Sequence, residues 1–149
     1  MKVNVRQAGL ADAEIIAPLF DGYRQFYGQA SDLPLAREFI LDRLALLESV
    51  ILLAENGQGE ALGFTQLYPS FSSVSARRIW ILNDLFVVPQ ARGTGVGKAL
   101  LEAVRMHAAA CGAKRLALST AHDNPAQKLY ESVGYQRDTS FFHYSLNVD

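Results

Sequence analysis

Residues 88–101 of the chain read VPQARGTGVGKALL, and this glycine-rich stretch joins an apolar run to an amphipathic pattern that predicts a helix. Gly93, Gly95 and Gly97 have no Cβ atom, so the backbone there can adopt positive φ and approach a ligand closely. The first amides of a helix have no partner within the helix and lie at the positive end of its dipole. The stretch therefore predicts a binding site for an anion such as a diphosphate.

Two common phosphate-binding motifs do not match this stretch. A P-loop, G-x-x-x-x-G-K-S/T, needs a glycine where Arg92 stands and a hydroxyl residue where Ala99 stands. A dinucleotide-binding fingerprint, G-x-G-x-x-G, needs its third glycine at Lys98 and follows the first strand of a domain, whereas this stretch lies far along the chain. Both nucleotide motifs are therefore excluded.

A third pattern, Q/R-x-x-G-x-G/A, is met by Gln90, Gly93 and Gly95. Residues 124–135 read NPAQKLYESVGY and are similar to a second motif, N-x-x-A-x-x-L/F-Y-x-x-x-G-F/Y, except that the alanine stands at Ala126. Together the two motifs resemble those of the GNAT superfamily, the N-acetyltransferases that use acetyl-CoA. The resemblance implies an acyl-CoA-dependent N-acetyltransferase with acetyl-CoA as its co-substrate.

Length and composition indicate one soluble domain over residues 1–149. No apolar run approaches the ~20 residues of a membrane span, and the N-terminus lacks the apolar core of a signal peptide. A single cysteine and three histidines without ligand spacing predict neither a disulfide nor a metal site. The net charge of −1, without a basic block, argues against a nucleic-acid partner. We expect a cytoplasmic protein without a membrane partner.

Hydrophobic periodicity predicts the element order β-α-α-β-β-β-α-β-α-β-β. Strands are expected at residues 2–7, 50–55, 60–68, 77–88 and 114–119, with two more over 135–146 that join near Ser140. Helices are expected at residues 12–26, 34–48, 97–111 and 125–133. Pro18 predicts a kink or a late start in the first helix, and Cys111 falls on the core face of the third. The order indicates an α/β fold, a mixed sheet with about four helices on its two sides.

The same order resembles the GNAT fold, in which two adjacent parallel strands splay apart and the pantetheine arm of CoA enters the gap. Here those strands would end near Val88 and Ser119. The resemblance implies that backbone groups of Phe86, Val87 and Val88 pair with pantetheine and that Asn124 hydrogen-bonds the arm. An amide near Val87 would polarise the acetyl carbonyl. The alternative for the first three side chains is a place in the core.

The glycine loop, residues 90–98, would hold the diphosphate mainly through its main-chain amides. Arg92 and Lys98 would add positive charge, or else they are solvated cations at the end of a helix. The residues expected to contact the diphosphate are Gln90, Arg92, Gly93, Thr94, Gly95, Val96, Gly97 and Lys98.

Tyr130, in the second motif, would by the resemblance protonate the departing CoA thiolate. A phenol with a pKa near ~10 carries its proton at neutral pH, and a positioned acid contributes ~10²–10⁴-fold to a rate. The alternative is a half-buried aromatic side chain that anchors its helix. Because Cys111 is expected in the core, an acetyl-cysteine intermediate is disfavoured, and direct transfer in a ternary complex is expected.

Asp84 is the only charged residue in the apolar run 79–88. A buried carboxylate needs partners and often marks a working site. Residues 82–87, LNDLFV, resemble the L-E-D-x-x-V strand of diamine and polyamine acetyltransferases, where the glutamate is linked to deprotonation of the amine. Asn83 stands at that position, and an amide cannot act as a base. Asp84 is then a cation-binding group or a water-mediated base, or else a carboxylate held by backbone amides.

Tyr23, Phe26 and Tyr27 lie near the end of the first helix, a region that often lines the acceptor pocket in GNAT proteins. Aromatic faces can receive cations, although packing on the sheet is the alternative. With Asn83 they form the expected acceptor site, which favours a small cationic amine. A protein lysine or N-terminus, another acyl donor, and a non-catalytic acyl-CoA-binding module stay open. Residues 141–144, FFHY, resemble closing strands that meet across GNAT dimers, so a homodimer is expected.

Overall fold

The computed structural model describes residues 2–149. Within them, a five-stranded sheet in the order β1-β2-β3-β4-β5 is accompanied by four α-helices. The strands are β1 (Asn4–Gln7), β2 (Val50–Glu55), β3 (Ala61–Ser72), β4 (Arg77–Val87) and β5 (Leu116–Ala117). The helices are α1 (Ala13–Phe26), α2 (Leu33–Ala45), α3 (Val96–Ala110) and α4 (Ala126–Ser132).

The sheet is mixed, as predicted. Strands β1 to β4 pair antiparallel in sequence order, so short connections suffice between β2 and β3 and between β3 and β4. Strand β5 pairs parallel with β4, at Trp80 with Leu116 and at Ile81 with Ala117. A parallel neighbour needs a long crossover, and α3 provides it.

A β-bulge interrupts β4 at Asn83. Gln66 of β3 is level with Asp84, whereas Leu67 is level with Leu82, so Asn83 is the extra residue on β4. A bulge bends its strand and re-aims the adjacent side chains. It therefore decides the direction in which the polar residues of this strand project.

The helices cover both faces of the sheet. Residues 51–54 of β2 are all buried, which an alternating strand permits only when each of its faces is packed. Helices α1 and α2 share one hydrophobic cluster with Ile51, Leu53 and Phe64. Helix α3 also contacts β2, β3 and β4, and its buried residues, such as Leu100, lie outside that cluster. Helix α3 therefore packs on the opposite face.

The two strands predicted over residues 135–146 are not formed, because the described residues 136–149 contain neither helix nor strand. Apolar residues do alternate in this segment, but they are exposed: Phe142, Tyr144, Leu146 and Val148. A period of two favours extended backbone, yet a strand also needs a neighbouring chain for its hydrogen bonds. This prediction was wrong.

Smaller differences concern the ends and the interior of helices. Helix α1 begins at Ala13 with Pro18 inside it, so the predicted late start does not occur. Helix α3 ends at Ala110, and Gly112 at φ +69° turns the chain away. Cys111 is consequently exposed, and its predicted place on the core face was wrong.

The chain divides after Ser119 into two compact units. The first contains the sheet with α1, α2 and α3, and the second, Thr120–Asp149, contains α4. In neither unit, over the residues described, is any helix long and apolar enough to cross a membrane.

Candidate functional site

The glycine loop has the backbone conformation that its sequence predicts. Gly93 and Gly95 have φ values of +75° and +92°, and Gly95 is the N-cap of α3. A Cβ atom at either glycine would meet nothing within 4 Å, so the backbone angle and not crowding requires glycine there. The Thr94 hydroxyl donates to the carbonyl oxygen of Ala91 and braces the turn.

The amides of this loop are available to an anion. Ala99 N donates to Gly95 O at 3.0 Å, which makes it the first amide of α3 with a backbone acceptor. Within the described chain, the amides of the preceding residues 93–98 donate no backbone hydrogen bond. Together with the positive end of the helix dipole, these donors suit a diphosphate.

Arg92 connects the glycine loop to two other elements. Its Nε donates to Val87 O at 3.0 Å, and its guanidinium carbon lies 5.9 Å from the ring centre of Phe26 and 5.7 Å from that of Phe86. Such distances are within the range of a cation–π contact. The side chain is therefore a bridge between the loop, β4 and the end of α1, in addition to carrying charge beside the expected diphosphate.

Val87 presents its backbone to the open edge of the sheet. Val88 N donates to Leu62 O at 2.9 Å, which makes these two residues a hydrogen-bonded pair of the antiparallel ladder. Because ladder bonds alternate, Val87 directs its amide and carbonyl away from β3. In the described chain β5 pairs with β4 no further than Ile81, so the edge beside Val87 is open. By the same alternation the backbone of Phe86 hydrogen-bonds to β3. Of the three residues expected to pair with pantetheine, only Val87 therefore directs its backbone groups away from β3.

The aromatic residues at the end of α1 meet the bulge of β4. Tyr23 donates its hydroxyl hydrogen to the backbone oxygen of Asn83 at 3.0 Å. Its ring centre lies 5.0 Å from that of Tyr27, whose ring lies 5.2 Å from that of Phe26. Phe26 and Tyr27 are about half exposed. The four residues predicted for the acceptor site thus form one connected surface.

Asp84 follows Asn83 in β4 and is 1% exposed. Asn83 Nδ2 donates to its Oδ1 at 2.8 Å, and Gln66 Nε2 donates to its Oδ2 at 2.6 Å. Burial raises the pKa of Asp84, and these two hydrogen bonds lower it only in part. The alternative of a carboxylate held by backbone amides is wrong, since the donors are side-chain amides.

Gln66 and its partner Ser49 were not anticipated from the sequence. The Ser49 hydroxyl donates to Gln66 Oε1 at 2.8 Å, and both residues are buried. Tyr68 belongs to the same region: burial first, and then the charge of Asp84, raise its pKa to about 12. One signal was present, because Gln66 is an amide in a stretch of β3, residues 61–68, that contains no other amide side chain and no charged residue.

The second unit holds the remaining predicted residues. Asn124 Oδ1 accepts from Ala126 N at 2.9 Å and so binds the first amide of α4. Tyr130, on α4, is buried, and its ring centre lies 5.9 Å from that of Tyr135. Burial raises the pKa of Tyr135 to about 12.

His107 and Cys111 form a separate contact at the end of α3, with 3.7 Å between Nε2 and Sγ. The ring of His107 also packs against Trp80, with 5.2 Å between ring centres, and burial lowers the pKa of this histidine. Across residues 2–149 no group of three His, Cys, Asp or Glu side chains is placed to hold a metal ion.

Known proteins resemble this chain over most of its length. The family model of the acetyltransferase (GNAT) domain matches residues 48–137. The "Uncharacterized N-acetyltransferase YhfO" of Bacillus subtilis (strain 168) is 58% identical over 147 residues, which cover 98% of each chain. The "Aminoglycoside N(6')-acetyltransferase type 1" of Stenotrophomonas maltophilia is 29% identical over 150 residues, 98% of this chain and 94% of that one. A crystal structure of a "probable acetyltransferase" has a TM-score of 0.93 and 44% identity, and 98% of each chain is covered.

Proposed function

Since the chain belongs to the GNAT family of acetyltransferases, we propose that it transfers the acetyl group of acetyl-CoA directly to a primary amine of a small cationic molecule. The observation that carries this proposal is the junction of α1 with the bulge of β4. There the Tyr23 hydroxyl donates to the backbone oxygen of Asn83, whose side chain donates to the buried carboxylate of Asp84. A carboxylate linked in this way to an aromatic cluster is chemically suited to attract an amine that arrives as a cation.

Acetyl-CoA, the co-substrate of this family, would supply the acetyl group as an activated thioester. The free amides of residues 93–98 fit its diphosphate, with charge added by Arg92 and Lys98. The backbone of Val87 faces the open edge of β4, where it would pair with the pantetheine arm and polarise the acetyl carbonyl. Asn124 is proposed as a further contact of the arm on the strength of its motif.

Proton transfer is proposed to involve Asp84 and Tyr130. An alkylammonium has a pKa near ~10.4 and must lose a proton before it can attack. Asn83 cannot accept that proton, so Asp84 would take it through a water molecule. Tyr130 would donate the proton that the departing thiolate needs. Direct transfer is proposed from the family resemblance alone. Cys111 is exposed, so burial no longer disfavours an acetyl-cysteine intermediate.

The relative named for aminoglycosides, which are cationic amines, supports a small acceptor. A protein lysine or N-terminus is the alternative acceptor. A different acyl donor and a non-catalytic acyl-CoA-binding module are further alternatives, because the loop amides recognise the diphosphate and not the acyl group.

The test is a thiol-release assay with acetyl-CoA across polyamines, amino acids, aminoglycosides and peptides. We expect thiol release with one or more small cationic amines and little with peptides. Activity on peptides alone would exclude the small-amine acceptor. Binding of CoA with no thiol release for any amine would indicate the non-catalytic module.

A homodimer and a cytoplasmic location are also proposed. The dimer is supported by the exposed, alternating apolar residues from Phe141 to Val148 and by the resemblance of residues 141–144 to strands that meet across GNAT dimers. Light scattering coupled to gel filtration measures the assembly state directly.

A further inference from the structure

The side chain of Gln66 is buried beside the carboxylate of Asp84, the group proposed to receive the proton of the amine. Its side chain is fully buried on β3, with 0% exposure, and both ends of its amide are hydrogen-bonded. One end donates to Asp84 Oδ2 and the other accepts from the Ser49 hydroxyl. Burying an amide in an apolar strand is costly unless both ends are satisfied, so Ser49 and Asp84 explain how Gln66 is tolerated.

The negative charge of Asp84 depends on the hydrogen bonds that its carboxylate accepts, because no cation offsets it. Among residues 2–149, no Lys, Arg or His side chain forms an ion pair with Asp84. Two amide donors, one on each carboxylate oxygen, are what the protein offers in place of water. Asn83 is exposed on the bulge, whereas Gln66 is fully buried and hydrogen-bonded at both ends. Gln66 is therefore the fixed donor of the pair.

The ionised Asp84 carboxylate can only accept hydrogen bonds, so it selects the Nε2 end of the Gln66 amide, and the Ser49 hydroxyl satisfies the other end. A hydroxyl donating to Oε1 leaves Nε2 directed at Asp84.

We infer that Gln66, whose other end is hydrogen-bonded by Ser49, is a positioning residue of the acceptor site, which holds the Asp84 carboxylate ready to receive the proton of the incoming amine. This inference rests on the proposed function of Asp84. In the step concerned, an N–H bond of the ammonium breaks and an O–H bond of Asp84 forms, with the proton passing through water. The amine keeps the electron pair with which it attacks.

Other titratable groups near Asp84 come from each element packed against it. Tyr68 faces it from β3, Arg43 of α2 acts on Tyr68, and the hydroxyl of Tyr23 comes from α1 to the carbonyl of Asn83. With its pKa raised to about 12, Tyr68 keeps its proton throughout the range of an enzyme assay. Tyr68 would therefore produce no acidic limb.

The first test is the pH dependence of kcat/KM in Gln66→Met and Ser49→Ala. Gln66→Met removes the donor to the carboxylate while keeping a side chain of similar length, so the acidic limb should move up by about one pH unit. Ser49→Ala should move it in the same direction by less, and Ser49→Thr, which keeps the hydroxyl, should restore it. A limb that stays at its wild-type position in both Gln66→Met and Ser49→Ala would overturn the inference.

Thr65→Val is the matched control. Thr65 is equally buried on β3, and its hydroxyl donates to the backbone oxygen of Asp84 at 2.7 Å. The substitution removes a buried hydrogen bond to the same residue without touching its carboxylate, so the limb should not move. If Thr65→Val and Gln66→Met shift the limb equally, Gln66 has a structural role alone and the inference is wrong.

A second measurement separates this inference from the proposed function. In protein labelled with ¹³C at the aspartate carboxyl groups, the Asp84 signal is identified by its loss in Asp84→Asn, and its titration needs no activity. Its midpoint should rise in Gln66→Met, by about one pH unit, and remain in place in Thr65→Val. An unchanged midpoint in Gln66→Met overturns the inference even in an active enzyme. A shifted midpoint in a protein that acetylates no amine overturns the proposed function instead.

Discussion

At the scale of the residue, Asp84 is a buried charge that the protein solvates with two amides and no cation. Burial raises its pKa more than the hydrogen bonds lower it, so its ionised form is held at a cost to stability near neutral pH. A core position would be more stable with an apolar residue. The cost is understandable if the carboxylate serves a reaction, which is the role proposed for it.

The pH dependence of stability tests the state of this carboxylate. Because its folded pKa lies above the unfolded value, its contribution to stability is complete below the unfolded pKa and is lost as the pH rises through the folded one. We therefore expect the free energy of unfolding of the wild type to fall, relative to Asp84→Asn, as the pH rises from about 4 towards 8. Urea unfolding at a series of pH values measures the difference.

Two features make that comparison specific. Asp12 and Asp21 have lowered pKa values and act in the opposite direction, but they are common to both proteins and cancel in the difference. Asp42→Asn, at an exposed position of α2, serves as the control and should give no such trend. A difference between the wild type and Asp84→Asn that does not vary with pH would contradict the burial of an ionised group.

Tyr130 tests the proposed acid. Tyr130→Phe removes one hydroxyl, and we expect kcat to fall by about 100-fold or more while the Kd for CoA, measured by calorimetry, stays nearly unchanged. Tyr144→Phe, at an exposed position of the same unit, is the control and should retain the wild-type kcat. Wild-type turnover in Tyr130→Phe would leave the tyrosine as an anchor of α4.

At the scale of the element, α3 has one end that is proposed to bind the diphosphate and one that is not. Its first turn follows Gly95 and offers unpaired amides, whereas its last turn closes on Gly112. Both glycines have positive φ and open space where a Cβ would lie. Backbone strain and anion binding can therefore be separated by changing one end of the helix at a time.

Gly95→Ala and Gly112→Ala should cost similar stability, about 1–2 kcal/mol each, because each forces alanine into the left-handed region. Only Gly95→Ala should also weaken CoA binding, by about tenfold, since relief of the strain displaces the loop amides from the diphosphate. Thermal unfolding and calorimetry with CoA measure the two effects. Equal affinities for CoA in the two variants would argue against the glycine loop as the diphosphate site.

At the scale of the whole molecule, the question is whether the two units behave as one domain. The second unit, Thr120–Asp149, is shorter than the ~40 residues below which chains seldom fold alone. Residues 1–149 are therefore still proposed as a single domain. The family match over residues 48–137 spans the division after Ser119 and supports that proposal.

A single domain predicts a single unfolding transition. Trp80, the only tryptophan, reports on the first unit by fluorescence, and hydrogen exchange of the α4 amides reports on the second. We expect both signals to change at the same urea concentration. Loss of protection in α4 well before the Trp80 transition would show that residues 120–149 unfold independently.

The amino-acid sequence by itself determined the features that depend on near neighbours. The positive φ at Gly93 and Gly95 and the buried face of α3 follow from local conformation and spacing. The two motifs also identified the family before any contact was known. Such features need only the residues beside them in the chain, so they can be predicted from it.

Tertiary structure alone decided the features that join distant residues. The bulge at Asn83 depends on the register of β3 against β4, and Gln66 reaches Asp84 only because that register places the two residues level. The failed strands over residues 135–146 have the same cause, since alternation does not supply a pairing partner. Each outcome depends on which residues distant in sequence become neighbours, and a local pattern contains no such information.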